Sequence, residues 1–183
     1  MLFRTLRIPS LAVFALSAFL AVVCHDPAIS AQTAPDTTAP AAAQLVATGS
    51  VEKPLSLSAD DLAHLTRTTI KVTNEHAGKD ETYEGVLLAD LLKQAGVPQG
   101  SKLNGKALAT YVEAEGSDGY RVIFSLAELD NDFEDSGVLV ADKVDGEPMG
   151  KNLGPLRLVV PHDKRPARWV RMLRSIKVTR VTD

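Results

Sequence analysis

The chain has 183 residues, a formal net charge of −3 and 45% hydrophobic residues, with one cysteine in the whole sequence. A net charge so near zero says little about partners. The single thiol, Cys24, excludes a disulfide framework, a Cys-x-x-Cys pair and a cysteine-rich metal site.

In chain order, MLFRTLR gives a positive start and IPSLAVFALSAFLAVVC an uncharged apolar run. With the small residues of AISA this has the three-part layout of a secretory signal peptide over residues 1–31. The run is short for a membrane span and is broken near its start by Pro9, so cleavage is expected and no stable membrane span after it. Cys24 then leaves with the leader, and Val23 before it argues against lipidation. The mature chain keeps no thiolate for a disulfide, a nucleophile or a metal. Export with so few cysteines points to a periplasm. Residues 32–44, rich in Ala, Pro and Thr, read as a linker that buries too little surface to order itself. Residues 45–183 have the usual size of one domain.

Within that domain LVATGSVEKPLSLS predicts a strand, a turn at Glu52 to Pro54 and a short extended piece. SADDLAHL predicts a helix capped by Ser58, with acids in its first turn. TRTTIKVT alternates and is β-branched, hence a strand. NEHAGK, residues 74–79, predicts a polar turn leading into a helix over GVLLADLLKQAG, with Val86, Leu87, Leu91 and Leu92 on one stripe and Gly96 and Pro98 as its stop. ALATYVEAEG, the turn SDGY and YRVIFS predict a hairpin, and SLAELDNDF a short capped helix. GVLVADKVDGEPM predicts a hairpin about Asp145 and Gly146, LRLVVP a buried strand, and WVRMLRSIKVTRV a turn and a last strand. Strands outnumber helices and join mostly through hairpins, so the fold class is α+β with a mixed, largely antiparallel sheet.

Charge is unevenly placed. Acids dominate Glu113 to Glu147, whereas Arg157, Lys164, Arg165, Arg168, Arg171, Arg174, Lys177 and Arg180 face only Asp163 near the end. Such blocks predict either a dipolar surface with a basic stripe or an ordinary solvated face. There is no phosphate-binding Gly loop, Gly-x-Ser-x-Gly elbow or His-Glu-x-x-His helix. Apart from Trp169 no aromatic interleaves the basic stretch, and an exported chain rarely meets nucleic acid, so none is expected as a partner.

Four stretches, YEGVLLADLLKQAGV, DGYRVIFSLAEL, VDGEPMGKNLGPLRLVVP and ARWVRML with IKV, follow one another in the order found in the molybdopterin-binding domain of the sulfite oxidase family, which the chain resembles over nearly the whole mature domain. The resemblance implies that family's fold. It also sets His76-Ala77-Gly78 where the family carries a Cys-Ala-Gly turn whose thiolate binds molybdenum. Imidazole does not replace a soft thiolate. His76 therefore reads as an ordinary polar turn residue or as a ligand of another kind. Exported members of the family use a twin-arginine signal, whereas Arg4 and Arg7 are not adjacent. On these two grounds no cofactor is expected, molybdopterin entering only under the alternative below.

By the same resemblance Arg168 and Arg171 match basic residues that contact the pterin and its phosphate, which makes them candidate anion contacts or simply charges on an exposed turn. Trp169 stacks on a ligand or anchors a loop. Asp118 and Tyr120 of SDGY are turn formers or members of the site, and Tyr120 and His76 are placed at its rim. The expected function is a periplasmic, non-catalytic ligand-binding or sensory module on a molybdopterin-binding fold, whose partner is a small anionic ligand or a periplasmic or membrane sensor protein. The alternatives are a molybdopterin-dependent oxidoreductase with an unusual metal ligand set, and a structural or assembly factor.

Overall fold

A computed structural model describes residues 45–74 and 78–182. The expected signal peptide, the linker, Cys24 and His76 lie outside the described residues. The described chain opens with β1 (Leu45–Gly49) and β2 (Leu55–Leu57), joined by the expected turn. Helix α1 (Ala59–Ala63) follows, its first turn closed by a reciprocal cap: the Ser58 hydroxyl accepts from the Asp61 N–H, and the Asp61 carboxylate accepts from the Ser58 N–H.

Next come β3 (Thr68–Asn74) and β4 (Lys79–Leu87), paired antiparallel from Thr68–Gly85 to Asn74–Lys79. Here the expectation needs correction. NEHAGK leads not into a helix but into a nine-residue strand, and the helix, α2 (Leu88–Gln94), starts only at Leu88. Gly85 shows why. A Cβ there would lie 2.1 Å from the Val140 carbonyl oxygen, so this backbone is pressed against a neighbouring strand and has no room for a side chain. On the helix, Leu88, Leu91 and Leu92 are buried, each adding roughly 1.5–3 kcal/mol relative to exposure.

The predicted hairpin forms from β5 (Thr110–Gly116) and β6 (Arg121–Ser125), and the short helix after it reduces to one 3₁₀ turn over Ala127–Leu129. β7 (Leu139–Val144) and β8 (Glu147–Pro148) make the hairpin about Asp145 and Gly146, both at positive φ. β9 (Arg157–Val159) and β10 (Leu173–Arg180) complete the elements.

The strands form two sheets. One runs β2-β1-β10-β5-β6, with β1 and β10 parallel and every other pair antiparallel; the other runs β3-β4-β7-β8, with β9 also on β7. In the first sheet β5 and β6 alternate, and Val112, Ala114, Val122 and Phe124, with Ile176 and Val178 of β10, lie in the core, where α1 and α2 contribute Leu62, Leu88, Leu91 and Leu92. A second cluster, Tyr83, Leu139, Ala141, Met149 and Val159, belongs to the other sheet, and half-buried Trp169 packs against both clusters. No helix among the described residues is long and apolar enough to cross a membrane.

The charge blocks, far apart in sequence, meet in space because β10 lies beside β5. Glu115 accepts from Arg174 at 2.6 Å and from Arg121 at 3.2 Å, Arg168 pairs with Glu128 at 2.9 Å, and Arg171 approaches Asp118 at 3.8 Å. Three bases of the C-terminal stretch, Arg168, Arg171 and Arg174, thus each face a carboxylate of the acidic stretch.

Candidate functional site

Along β3 the chain alternates as a half-buried strand must, with Val72 turned inward and Lys71 and Thr73 outward. Lys71 is held by the Asp80 carboxylate of β4 at 2.7 Å, and that contact, with the Thr73 hydroxyl, keeps Asp80 below the usual carboxylate range. Facing this stretch are β9 and the segment 161–169. Together they enclose a cavity of about 540 Å³ lined by Lys71, Val72, Thr73, Arg157 and Trp169, with His162 and Lys164 from the segment.

Arg157 is the chemical centre of this cavity. Its Nη1 donates to the Tyr83 hydroxyl at 3.0 Å, and its guanidinium lies over the Trp169 ring, 4.8 Å from the centroid. The Arg157 Nε is buried and has no hydrogen-bond partner. Tyr83 is fully buried, donates to Glu81 at 2.6 Å and meets Trp169 edge-to-face with centroids 5.6 Å apart. Burial, then the Glu81 hydrogen bond, raises the Tyr83 phenol well above its ordinary pKa. The Trp169 indole N–H donates to the Val160 carbonyl at 2.9 Å, which fixes the ring as a wall. A neighbouring cavity of about 380 Å³ shares Lys71, Pro161 and His162 with the first.

The residues singled out from the sequence divide between places. Asp118, Tyr120, Trp169 and Arg171 come together, with Pro166 and Ala167, around a smaller cavity of about 160 Å³ that shares Trp169 and Pro166 with the first. There Tyr120 donates its hydroxyl to the Ala167 carbonyl, and the Asp118 carboxylate accepts the Tyr120 N–H at 3.0 Å. Arg168 points elsewhere. It donates two parallel hydrogen bonds to Asp163, at 2.9 and 2.6 Å, and a third to Glu128, and it covers the Phe124 ring. The Asp163 pair raises its pKa further, so this arginine is occupied in tying segment 161–169 to the end of β6. Sequence reasoning missed Arg157 as a site residue. The available signal was a lone charge inside LRLVVP, since a cation in a buried strand needs a local purpose.

A half-buried arginine whose Nε lacks a partner, with its guanidinium over an indole ring in a cavity of this size, offers a positive charge and a flat wall on a fold of one mixed and one antiparallel sheet. In keeping with that, residues 31–182 match the oxidoreductase molybdopterin binding domain family, and the chain belongs to it. Among solved structures it is similar to the sulfane dehydrogenase SoxCD from Paracoccus pantotrophus, at 26% identity and a TM-score of 0.58, over 74% of this chain and 38% of that one. The chain thus spans well under half the length of that relative. No curated protein matches the sequence.

Family membership corrects the expectation that no cofactor is bound, because the family is one of molybdopterin binding. The physical reason is that the expectation weighed one turn residue, His76, and the form of the leader, whereas the pocket is assembled from β3, β9 and segment 161–169. The residues present fit the pterin part: Arg157 supplies a half-buried cation, Lys164 a second positive charge and Trp169 a flat wall. For the metal, no group of three or more His, Cys, Asp or Glu residues that could hold an ion occurs among the described residues.

Proposed function

We propose that this protein is an exported, periplasmic binding module that holds the anionic pterin and phosphate portion of a molybdopterin-type cofactor in the 540 Å³ cavity, as a ligand-holding or sensory part and not as a complete oxidoreductase. The observation that carries this reading is Arg157, fixed by Tyr83 and Trp169, with a buried Nε that lacks an acceptor. An anion in the cavity pairs with the guanidinium charge, a charge-assisted contact worth roughly 1.5–3 kcal/mol. When bound, the cofactor supplies redox chemistry at its metal. The chain's own part is to orient the ring against Trp169, neutralise its anion with Arg157 and Lys164, and keep water from the ring face. The non-catalytic role is supported by the sequence, whose only thiol, Cys24, falls in the expected leader.

The test is pterin content, read as fluorescence of the oxidised derivative, together with molybdenum by mass spectrometry, on protein recovered from its native periplasm. Wild type is expected to carry pterin, and Arg157→Gln at least about tenfold less, the effect of losing one charge-assisted contact. Equal pterin in the two proteins overturns the site. Stoichiometric molybdenum with turnover of a small oxo-compound overturns the non-catalytic role and makes the protein an oxidoreductase.

A further inference from the structure

Two arginines border the cavities, and they are held in opposite ways. Arg168 meets Asp163 and Glu128 directly, so carboxylates both fix its guanidinium and compensate its charge. Arg157 forms no ion pair among the described residues. Its one hydrogen-bonded partner there is the neutral hydroxyl of Tyr83, at 3.0 Å.

The directions of the hydrogen bonds extend this contact by one residue. A guanidinium only donates and a phenol has a single proton, so Tyr83 accepts from Arg157 and must place its own proton elsewhere. That proton goes to Glu81 Oε2 at 2.6 Å, within the range of a charge-assisted O–H···O⁻ bond. Glu81 and Tyr83 stand two residues apart on β4 and so share a face, while Arg157 reaches them from β9, on the other side of β7. The second oxygen of Glu81, Oε1, lies 3.7 Å from Lys79 Nζ. Carboxylate, buried hydroxyl and cation therefore follow one another, and the cation is the member that lines the cavity.

We propose that Glu81 is a positioning residue of the ligand site: acting through the Tyr83 hydroxyl, it fixes the direction of the Arg157 guanidinium over Trp169 and leaves its charge for an anion. This deepens, and rests on, the reading of the 540 Å³ cavity as an anion site. A carboxylate placed directly on Arg157 competes with the ligand for the same donors. Held one hydroxyl away, it sets the geometry and its attraction for the guanidinium is weaker. Without an acceptor at position 81 the phenol proton turns toward Arg157, donor faces donor, and the guanidinium loses its anchor.

The experiment is nitrogen-detected NMR of the Arg157 side chain in the full chain, its signals assigned by their loss in Arg157→Gln. In wild type, blocked rotation about the Nε–Cζ bond is expected to give separate signals for the two Nη groups. Glu81→Leu is expected to merge them and to lower pterin content at least about tenfold. Glu81→Gln, whose amide oxygen still accepts, is expected to keep them separate. Tyr83→Phe removes only the hydroxyl, should merge them as well, and decides the matter where Glu81→Leu does not fold. Merged signals in wild type, separate signals in Glu81→Leu or Tyr83→Phe, or merging in Glu81→Gln overturns the proposal. If wild type carries no pterin, the reading of the cavity fails, while the signals still decide for or against the hold on Arg157.

Discussion

At the scale of single residues, Tyr83 and Arg168 are each fixed by partners distant in sequence, and each yields a measurable consequence. The folded chain holds the Tyr83 proton after the unfolded chain has released it. The associated stability is present in full below about pH 10 and declines as pH rises from there through the folded-state value. Phenolate absorbance at 295 nm should gain the Tyr83 share only late in an alkaline titration, and Tyr83→Phe should delete that late step; an unchanged curve contradicts the assignment. Arg168, holding Asp163 and Glu128, should behave as an anchor. Arg168→Ala is expected to lower stability by about 1 kcal/mol, discounted because the pair is partly solvated. Denaturant unfolding measures this, and Arg171→Ala, whose nearest carboxylate is 3.8 Å away, should change little in the same assay.

At the scale of elements, the test falls on β4 and α1. Gly85→Ala pushes a methyl group against the Val140 carbonyl, so either β4 or β7 must shift. A loss of at least about 2 kcal/mol is expected from such overpacking, read from denaturant midpoints, and a neutral substitution would mean that the two backbones are not in contact. Ser58→Ala removes the hydroxyl half of the cap on α1 and should cost about 1 kcal/mol. The sequence already showed this cap, the hairpin at Asp145-Gly146 and the alternation of β5, since each rests on neighbours a few residues apart. It did not show β4. The run GVLLADLLKQ satisfies helical spacing from its first residue, and only the approach of β7 makes Gly85 to Leu87 extended.

At the scale of the whole molecule, carboxylates are held by cations that the chain brings from far away. The Arg174 hydrogen bond, then that of Arg121, lowers the Glu115 pKa. For Glu128 burial acts upward but is outweighed by Arg168 and Ser125, so its pKa is lowered too. Depressed carboxylates contribute stability above their unfolded values, about pH 4.3, and lose it as pH falls through the folded values. Thermal midpoints should therefore drop in acid, and Glu115→Gln should flatten that drop; a profile of unchanged steepness would show that the pairs do not form.

What the sequence by itself determined is what short-range chemistry settles: most strands, their turns, the α+β class and the order of motifs that marks the family. The tertiary structure alone decided the pairing of acidic with basic blocks, because that depends on β10 lying beside β5. It also decided the site. Asp118, Tyr120, Trp169 and Arg171 were legible from one motif and one turn, yet Arg157 acquires its meaning only where Tyr83, Trp169 and β3 converge on it. Packing leaves the Nε of this strand residue buried and without an acceptor, and burial is a property of the packed chain.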